Sequence, residues 1–229
     1  MSVVRQMITV IPARNEQALL ADCLAAVADA VANCPIPART IVVLDSCADA
    51  SVDICSRHRV ETVEVGFANV GQARHAGVER ALRSPIPFQS TWIANTDADS
   101  RVPPDWLSEQ IRLANDGADV VLGVVTLADE GQASVHQAHQ SAYAHRVRPD
   151  GTHRHIHGAN LGIRASTYLE SGGFPPLTDH EDRELIRRAR ALGRALVVTS
   201  TGLRVQTSGR TEGRCHDGFA RFIANMPHL

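Results

Sequence analysis

Two carboxylates one residue apart, Asp97 and Asp99, close an apolar run in the stretch TWIANTDADSRVPPDWL, residues 91–107. A divalent cation such as Mg2+ or Mn2+ takes hard oxygen ligands, commonly one or two carboxylates, with phosphate and water completing its shell. At the end of a strand, this spacing lets one acid face such an ion while the other faces a ribose. The same triplet also suits a turn, with an acid capping the helix that Val102-Pro103-Pro104 introduces. Polar groups recur where other apolar runs stop. Pro12-Ala13-Arg14-Asn15-Glu16 follows the first, Asp45-Ser46 the second, and His157-Gly158-Ala159-Asn160 opens a later one. Further along, Glu181-Asp182 begins an amphipathic segment, where the positive end of a helix favours negative charge. That pair reads either as ordinary capping charge or as a catalytic base. His153, His155 and His157 alternate as on one face of a strand, a spacing that can bind zinc, but no fourth ligand is evident.

Composition removes several chemistries. All 23 Lys+Arg residues are arginine. A Walker A loop, a protein kinase and Schiff-base catalysis each need a lysine, so a phosphate here must be held by Arg, backbone N–H groups or a metal. A net charge of −2 gives no general reason to expect nucleic acid or a membrane surface as partner. The longest apolar run, ADVVLGVVTLA, is too short to span a bilayer and contains Asp119, and the N-terminus goes straight into a strand-like run. Five scattered cysteines without a CxxC pair suit reduced thiols, and the expectation is a cytoplasmic protein. Cys47 has no recognisable base beside it to make it a nucleophile.

The elements that must position these groups alternate. Strand-like runs at 7–13, 39–45, 60–65, 91–97 and 119–127 are separated by helical patterns at 16–32, 48–58, 69–84 and 103–116. Such alternation predicts βαβ units and a mostly parallel twisted sheet flanked by helices, with ligands beyond the carboxyl ends of the strands. Residues 129–157 are polar and His-rich without clear period, part-helical around SVHQAHQSAYAHRV. A strand at 159–164, a helix from Glu181 to Leu192 and a strand at 195–200 follow, and TSGRTEGRCHDGFARFI reads as a loop running into a short helix. The 229 residues suit a single domain: a nucleotide-binding half (1–128), an acceptor-side half (129–200) and a C-terminal loop and helix (201–229).

Several of these stretches, in order, resemble the GT-A nucleotide-sugar glycosyltransferases of family 2. VIPARNE is similar to the family's opening strand and P-A-x-N-E turn, VVLDSCADAS to V-V-D-D-G-S-x-D-x-T, and NVGQARHAG to its Gly- and Arg-containing helix start. NTDADS is similar to the DxD, GANLGIRASTYLESGGF to G-x-N-x-x-x-R…G-G-F, and HEDRELIRRARALG to E-D-x-E-L…G. The resemblance covers about residues 7 to 200. It implies an α/β GT-A fold and transfer of a sugar from a nucleoside-diphosphate sugar to an acceptor hydroxyl, inverting, with Mg2+ or Mn2+. The acceptor, a small molecule, glycan or lipid-linked group, is not specified, nor is the oligomeric state.

Carried over by residue, the resemblance implies that Asp45 hydrogen-bonds the base while Pro12, Arg14 and Glu16 border the nucleoside. Arg74 lines the nucleotide side, Asp97 contacts ribose or metal, Asp99 holds the metal, and Asp182 is the base. His157, Gly158, Asn160 and Glu181 fall on the sugar and acceptor side, and Arg210 and Arg214 in a Gly-flanked loop suited to a diphosphate. Departures are Leu44 in place of a first Asp, no Q-x-x-R-W motif of processive members, and RVQTSGR where some relatives place a metal-binding His. A catalytically inactive nucleotide-sugar-binding module of the same fold is the alternative; it would lose the base or the metal acid, and both acids are present. A nucleotidyltransferase lacks its Gly- and Lys-containing loop here, and a dinucleotide oxidoreductase its GxGxxG.

Overall fold

Strand β1 (Gln6–Ala13) is buried along nearly its whole length, as a near-continuous apolar run in a parallel sheet should be. The computed structural model describes residues 2–128, 148 and 152–210. Around β1 the expected alternation is built: α1 (Leu20–Ala32), β2 (Ala38–Asp45), α2 (Ser51–His58), β3 (Glu61–Val65), α3 (Val70–Ala81), β4 (Thr91–Asn95) and α4 (Trp106–Asn115). Strands β2, β1 and β4 pair in parallel, with β3 outside β2. Side chains alternate across this sheet with period two. Met7, Ile11, Val42, Leu44 and Trp92 face α1, α2 and α4. Ile8, Val10, Ile41, Val43 and Ile93 face α3 and the later helices.

Beyond β4 the simple alternation ends. The next long strand, β6 (Val120–Leu127), does not lie beside β4, because the short β7 (Leu161–Arg164) runs antiparallel between them. Helices α5 (Ala165–Glu170) and α6 (Glu181–Ala191) follow, and β8 (Val197–Thr207) pairs in parallel with β6. A two-residue strand, β5 (Ser100–Arg101), continues from the Asp97–Asp99 turn and pairs with the end of β8. The order is β3-β2-β1-β4-β7-β6-β8-β5, a mixed α/β sheet with parallel pairs in the majority and helices on both faces.

β8 is longer than expected. Its ladder with β6 shifts register at Gly123/Val124, skips residues 201–203, and resumes through Thr207. Leu203, the last of the skipped residues, and Val205 on the resumed part are buried while Arg204 between them is exposed; Gly202 and the neighbouring Ser and Thr residues mask this alternation in the sequence. The extension brings Thr207 and Ser208 to Asp99. Most of the 129–157 segment, including SVHQAHQSAYAHRV, and the C-terminal helix, Arg214 and Cys215 lie outside the described residues. Among the described residues no helix is long and apolar enough to cross a membrane.

Candidate active site at the carboxyl rim of the sheet

The turns that leave the first three strands are backbone-strained at matching places. Asn15 follows β1, Ser46 follows β2 and Ala68 lies shortly after β3, with φ of 53°, 58° and 50°. His180, at 62°, opens α6. Left-handed non-glycine residues persist only where surrounding contacts over-determine them, and they gather at functional sites. Asp45 supplies some of those contacts. Its Oδ1 accepts the N–H groups of Phe67 and Ala68 (both 2.8 Å) and the Ser46 hydroxyl (3.0 Å), and Oδ2 accepts Asn69 N–H (2.9 Å). Three donors crowd the two lone pairs of Oδ1 while Oδ2 takes one donor, so one acceptor position remains on Oδ2, in a residue only 3 % exposed. Asn69 in turn caps α3, accepting Gln72 N–H at 2.9 Å. Pro12 is half-buried and Arg14 exposed beside this turn.

Asp97 and Asp99 leave the end of β4 in different directions. Asp97 pairs with Arg74, which α3 carries fully inside the protein. Arg74 Nε also reaches Glu181 Oε1 at 3.2 Å, and its guanidinium lies 5.8 Å from the centre of the Phe174 ring. Asp99 faces the end of β8, where Ser208 Oγ donates to Oδ2 at 2.8 Å and Arg210 approaches the same oxygen at 2.9 Å. Arg210 simultaneously grips both carboxylate oxygens of Glu16 at 3.0 Å. Burial and the neighbouring Asp97 push the Asp99 carboxyl above its ordinary range, and Arg210 opposes the shift.

Asp182, on the first turn of α6, has both oxygens oriented: Oδ2 accepts Gly158 N–H and Oδ1 accepts Arg183 N–H, each at 2.7 Å. It stays partly open to solvent. Glu181 beside it is buried, and burial pushes it up to about 7, with Asp182 and Asp97 adding to the rise and Arg74 opposing it. Gly158 explains how these parts fit. A Cβ there would lie 2.5 Å from Arg74 Nη2, so only glycine lets this backbone pass the guanidinium while donating to Asp182.

Thus Glu16, Arg74, Asp97, Asp99, Gly158, Glu181, Asp182 and Arg210 form one connected rim. Asn160 does not join it. Expected on the acceptor side, it is 0 % exposed: its Nδ2 donates to Val124 O and Leu203 O, and its Oδ1 accepts Trp106 Nε1, all at 2.9 Å. It fastens β6, the irregular part of β8 and α4 together, and has no donor left for a substrate. His157 is half-buried, with its ring stacked on His155 at 5.6 Å between centres. His153 bonds Leu122 O through Nε2 (3.2 Å), and burial lowers its pKa. Among the described residues no three His, Cys, Asp or Glu side chains could hold a metal together. Cys47 donates to Ala13 O, and burial pushes its thiol up, away from nucleophilic use. Thr207 and Ser208 are not evident as site residues from sequence; the signals are the alternation continuing past residue 200 and their place in RVQTSGR, where some relatives carry a metal-binding His.

The sequence pattern of glycosyl transferase family 2 matches residues 8–169, more than half of the chain. The chain belongs to this family. Comparison with solved structures agrees on the fold, GT-A. S. aureus TarS (residues 1–349, with UDP-GlcNAc) is 12% identical, with TM-score 0.68, over 93% of this chain and 61% of that one. The mannosyltransferase PcManGT from Pyrobaculum calidifontis, solved with GDP-Man and Mn2+, is 16% identical, with TM-score 0.66, over 92% and 59%. Glucosyl-3-phosphoglycerate synthase from Mycobacterium tuberculosis, solved with Mn2+, UDP and phosphoglyceric acid, is 18% identical, with TM-score 0.59, over 87% and 69%. The family 2 chain described here therefore spans about three fifths of the length of the TarS and PcManGT structures. No match was found among curated proteins.

Proposed function

We propose that this family 2 protein transfers a sugar from a nucleoside-diphosphate sugar to an acceptor hydroxyl, with inversion, Asp182 taking the hydroxyl proton. The observation that carries the reading is the linkage Asp182–Gly158–Arg74–Asp97. It joins an oriented, partly open carboxylate to the acid pair at the end of β4. Proteins of the same fold solved with UDP-GlcNAc, GDP-Man or UDP support a nucleoside-diphosphate donor.

In this reading the nucleoside lies over the β1–β3 turns, bordered by Pro12, Arg14 and Glu16, with the remaining Oδ2 position of Asp45 facing a base N–H. Asp97 borders the ribose, and His157, Gly158 and Glu181 line the sugar side. A divalent cation fits the groups present: Asp99, Glu16 and Ser208 offer only oxygen, and the Asp99 carboxyl is buried with a like charge nearby, which a cation relieves. Bound there, Mg2+ or Mn2+ would neutralise charge gathering on the leaving diphosphate. Asp182 must accept a proton while keeping its geometry, and its two backbone hydrogen bonds fix that geometry without enclosing it. Such a general base contributes about 10^2- to 10^4-fold.

The test is a thermal-shift screen of UDP-, GDP-, TDP- and ADP-sugars with and without Mn2+, repeated on Asp182→Asn. Ligands that bind the folded form raise Tm with affinity. The expected result is a metal-dependent rise with one nucleotide, retained in Asp182→Asn, and transfer in that variant lower by about 10^2-fold or more. Full transfer by Asp182→Asn would remove it as the base.

A further inference from the structure

We propose that Arg210 is the resting counter-cation of the Asp99–Glu16 site, displaced by a divalent cation, so that metal binds together with the diphosphate instead of ahead of it. This takes the donor reading above as its premise.

Three acids converge here. Glu16 comes from the end of β1, and Asp97 and Asp99 from the end of β4; with burial as the larger cause, all three push up the thiol of Cys23 on α1. Asp97 is held by the buried Arg74. Asp99 and Glu16 share Arg210 instead. One terminal nitrogen lies 2.9 Å from Asp99 Oδ2 and 3.0 Å from Glu16 Oε1, and the other donates to Glu16 Oε2 at 3.0 Å. Ser208 Oγ adds a further oxygen on Asp99 Oδ2. The Asp99 and Glu16 side chains are 10% and 8% exposed, and two carboxylates so far from water require a positive partner. In the resting protein that partner is a guanidinium, set among oxygens of the kind a hard divalent ion takes.

The two cations exclude each other. Mg2+ binds oxygen at about 2.0–2.1 Å and, being positively charged, leaves no place for a guanidinium on the same oxygens. Arg210 can leave, since its side chain is 35% exposed and the chain from Ser208 to Arg210 has no regular structure. Displaced, it remains at the rim with a fork suited to bidentate contact with phosphate. Metal alone must break the Arg210 contacts without replacing them. Metal with a nucleoside diphosphate gives the guanidinium a new partner. The coupling is reciprocal, as linkage requires.

The experiment measures Mn2+ binding by electron paramagnetic resonance, alone and with UDP, GDP, TDP or ADP, in the wild type, Arg210→Gln and a charge-matched control on the exposed face of α6, Arg190→Gln. Arg210→Gln is expected to bind Mn2+ alone about tenfold more tightly than the wild type, the scale of one lost charge-assisted contact. Arg190→Gln should bind as the wild type does. One nucleotide should strengthen Mn2+ binding markedly in the wild type and far less in Arg210→Gln. Adding Asp99→Asn to Arg210→Gln should erase the gain. Mn2+ binding in Arg210→Gln equal to or weaker than wild type overturns the proposal. Tighter Mn2+ in Arg210→Gln with no response to any nucleotide in any protein would overturn the donor reading and leave the competition between Arg210 and the cation standing.

Discussion

Two arginines serve the two aspartates of one triplet, and they are opposite in kind. Arg74 is 2% exposed, lies on a helix, and is enclosed by Asp97, Glu181 and the Phe174 ring. Arg210 is 35% exposed, lies three residues past the end of β8 at Thr207, and pairs with Asp99 and Glu16. A buried guanidinium with two carboxylate partners is fixed, because its own charge lies away from water and removing it strips the buried Glu181 of its counter-charge. A half-exposed one can be replaced by another cation at modest cost. The two acids are therefore not equivalent: Asp97 is held by a cation fixed inside the fold, while Asp99 is held by one that solvent reaches.

The comparison can be broken most directly at Arg74. Arg74→Ala is expected to destabilise the fold by about 3–5 kcal/mol, since Asp97 and Glu181 would be left without their buried counter-charge; a denaturant midpoint no lower than wild type would make Arg74 as dispensable as Arg210. Next, Gly158→Ala should cost about 1–3 kcal/mol by forcing a methyl group onto the Arg74 guanidinium, read as a Tm drop that Arg74→Ala absorbs in the double variant.

The pH profile sharpens the same point. Glu181 is held at about 7, above its ordinary 4.5, so the folded protein binds more protons than the unfolded chain between those values. Stability is then greatest below about 4.5 for this group and falls as pH rises through 7, by an amount on the order of 3 kcal/mol. Glu181→Gln should flatten that part of a Tm-against-pH curve, and an unchanged slope would place the titration elsewhere. Smallest of all, Arg210→Gln should cost about 1–2 kcal/mol in the absence of ligand, because Asp99 and Glu16 lose their counter-charge while the opening left by a 35% exposed side chain lets water replace part of it. A loss as large as that of Arg74→Ala would erase the contrast.

Much of this was legible in the sequence. Near-continuous apolar runs ending in polar residues placed β1, β2 and β4 to within a residue or two, because a strand buried on both faces has little freedom in composition. Asp45, Asp97 and Asp182 could be singled out because each sits where a strand ends or a helix begins. The position of β7 could not be read. Four residues buried between neighbours look alike wherever in the sheet they are inserted. Asn160 misled for a related reason: a polar residue at a strand end suggests a rim, yet burial of Trp106 demanded a partner for its indole N–H, and Asn160 fills that need.

By itself the sequence determined the α/β alternation, the exclusion of lysine-based phosphate chemistry, the resemblance to family 2 and the identity of the acids. Those depend on local patterns of apolar spacing and on side-chain type, which one chain displays directly. Only the tertiary structure decided which cation each acid meets. Arg74 reaches Asp97 and Glu181 across 23 and 107 positions, and Arg210 reaches Glu16 across 194. At such separations charge pairing is set by how β7 and β8 enter the sheet, and no local pattern carries that information.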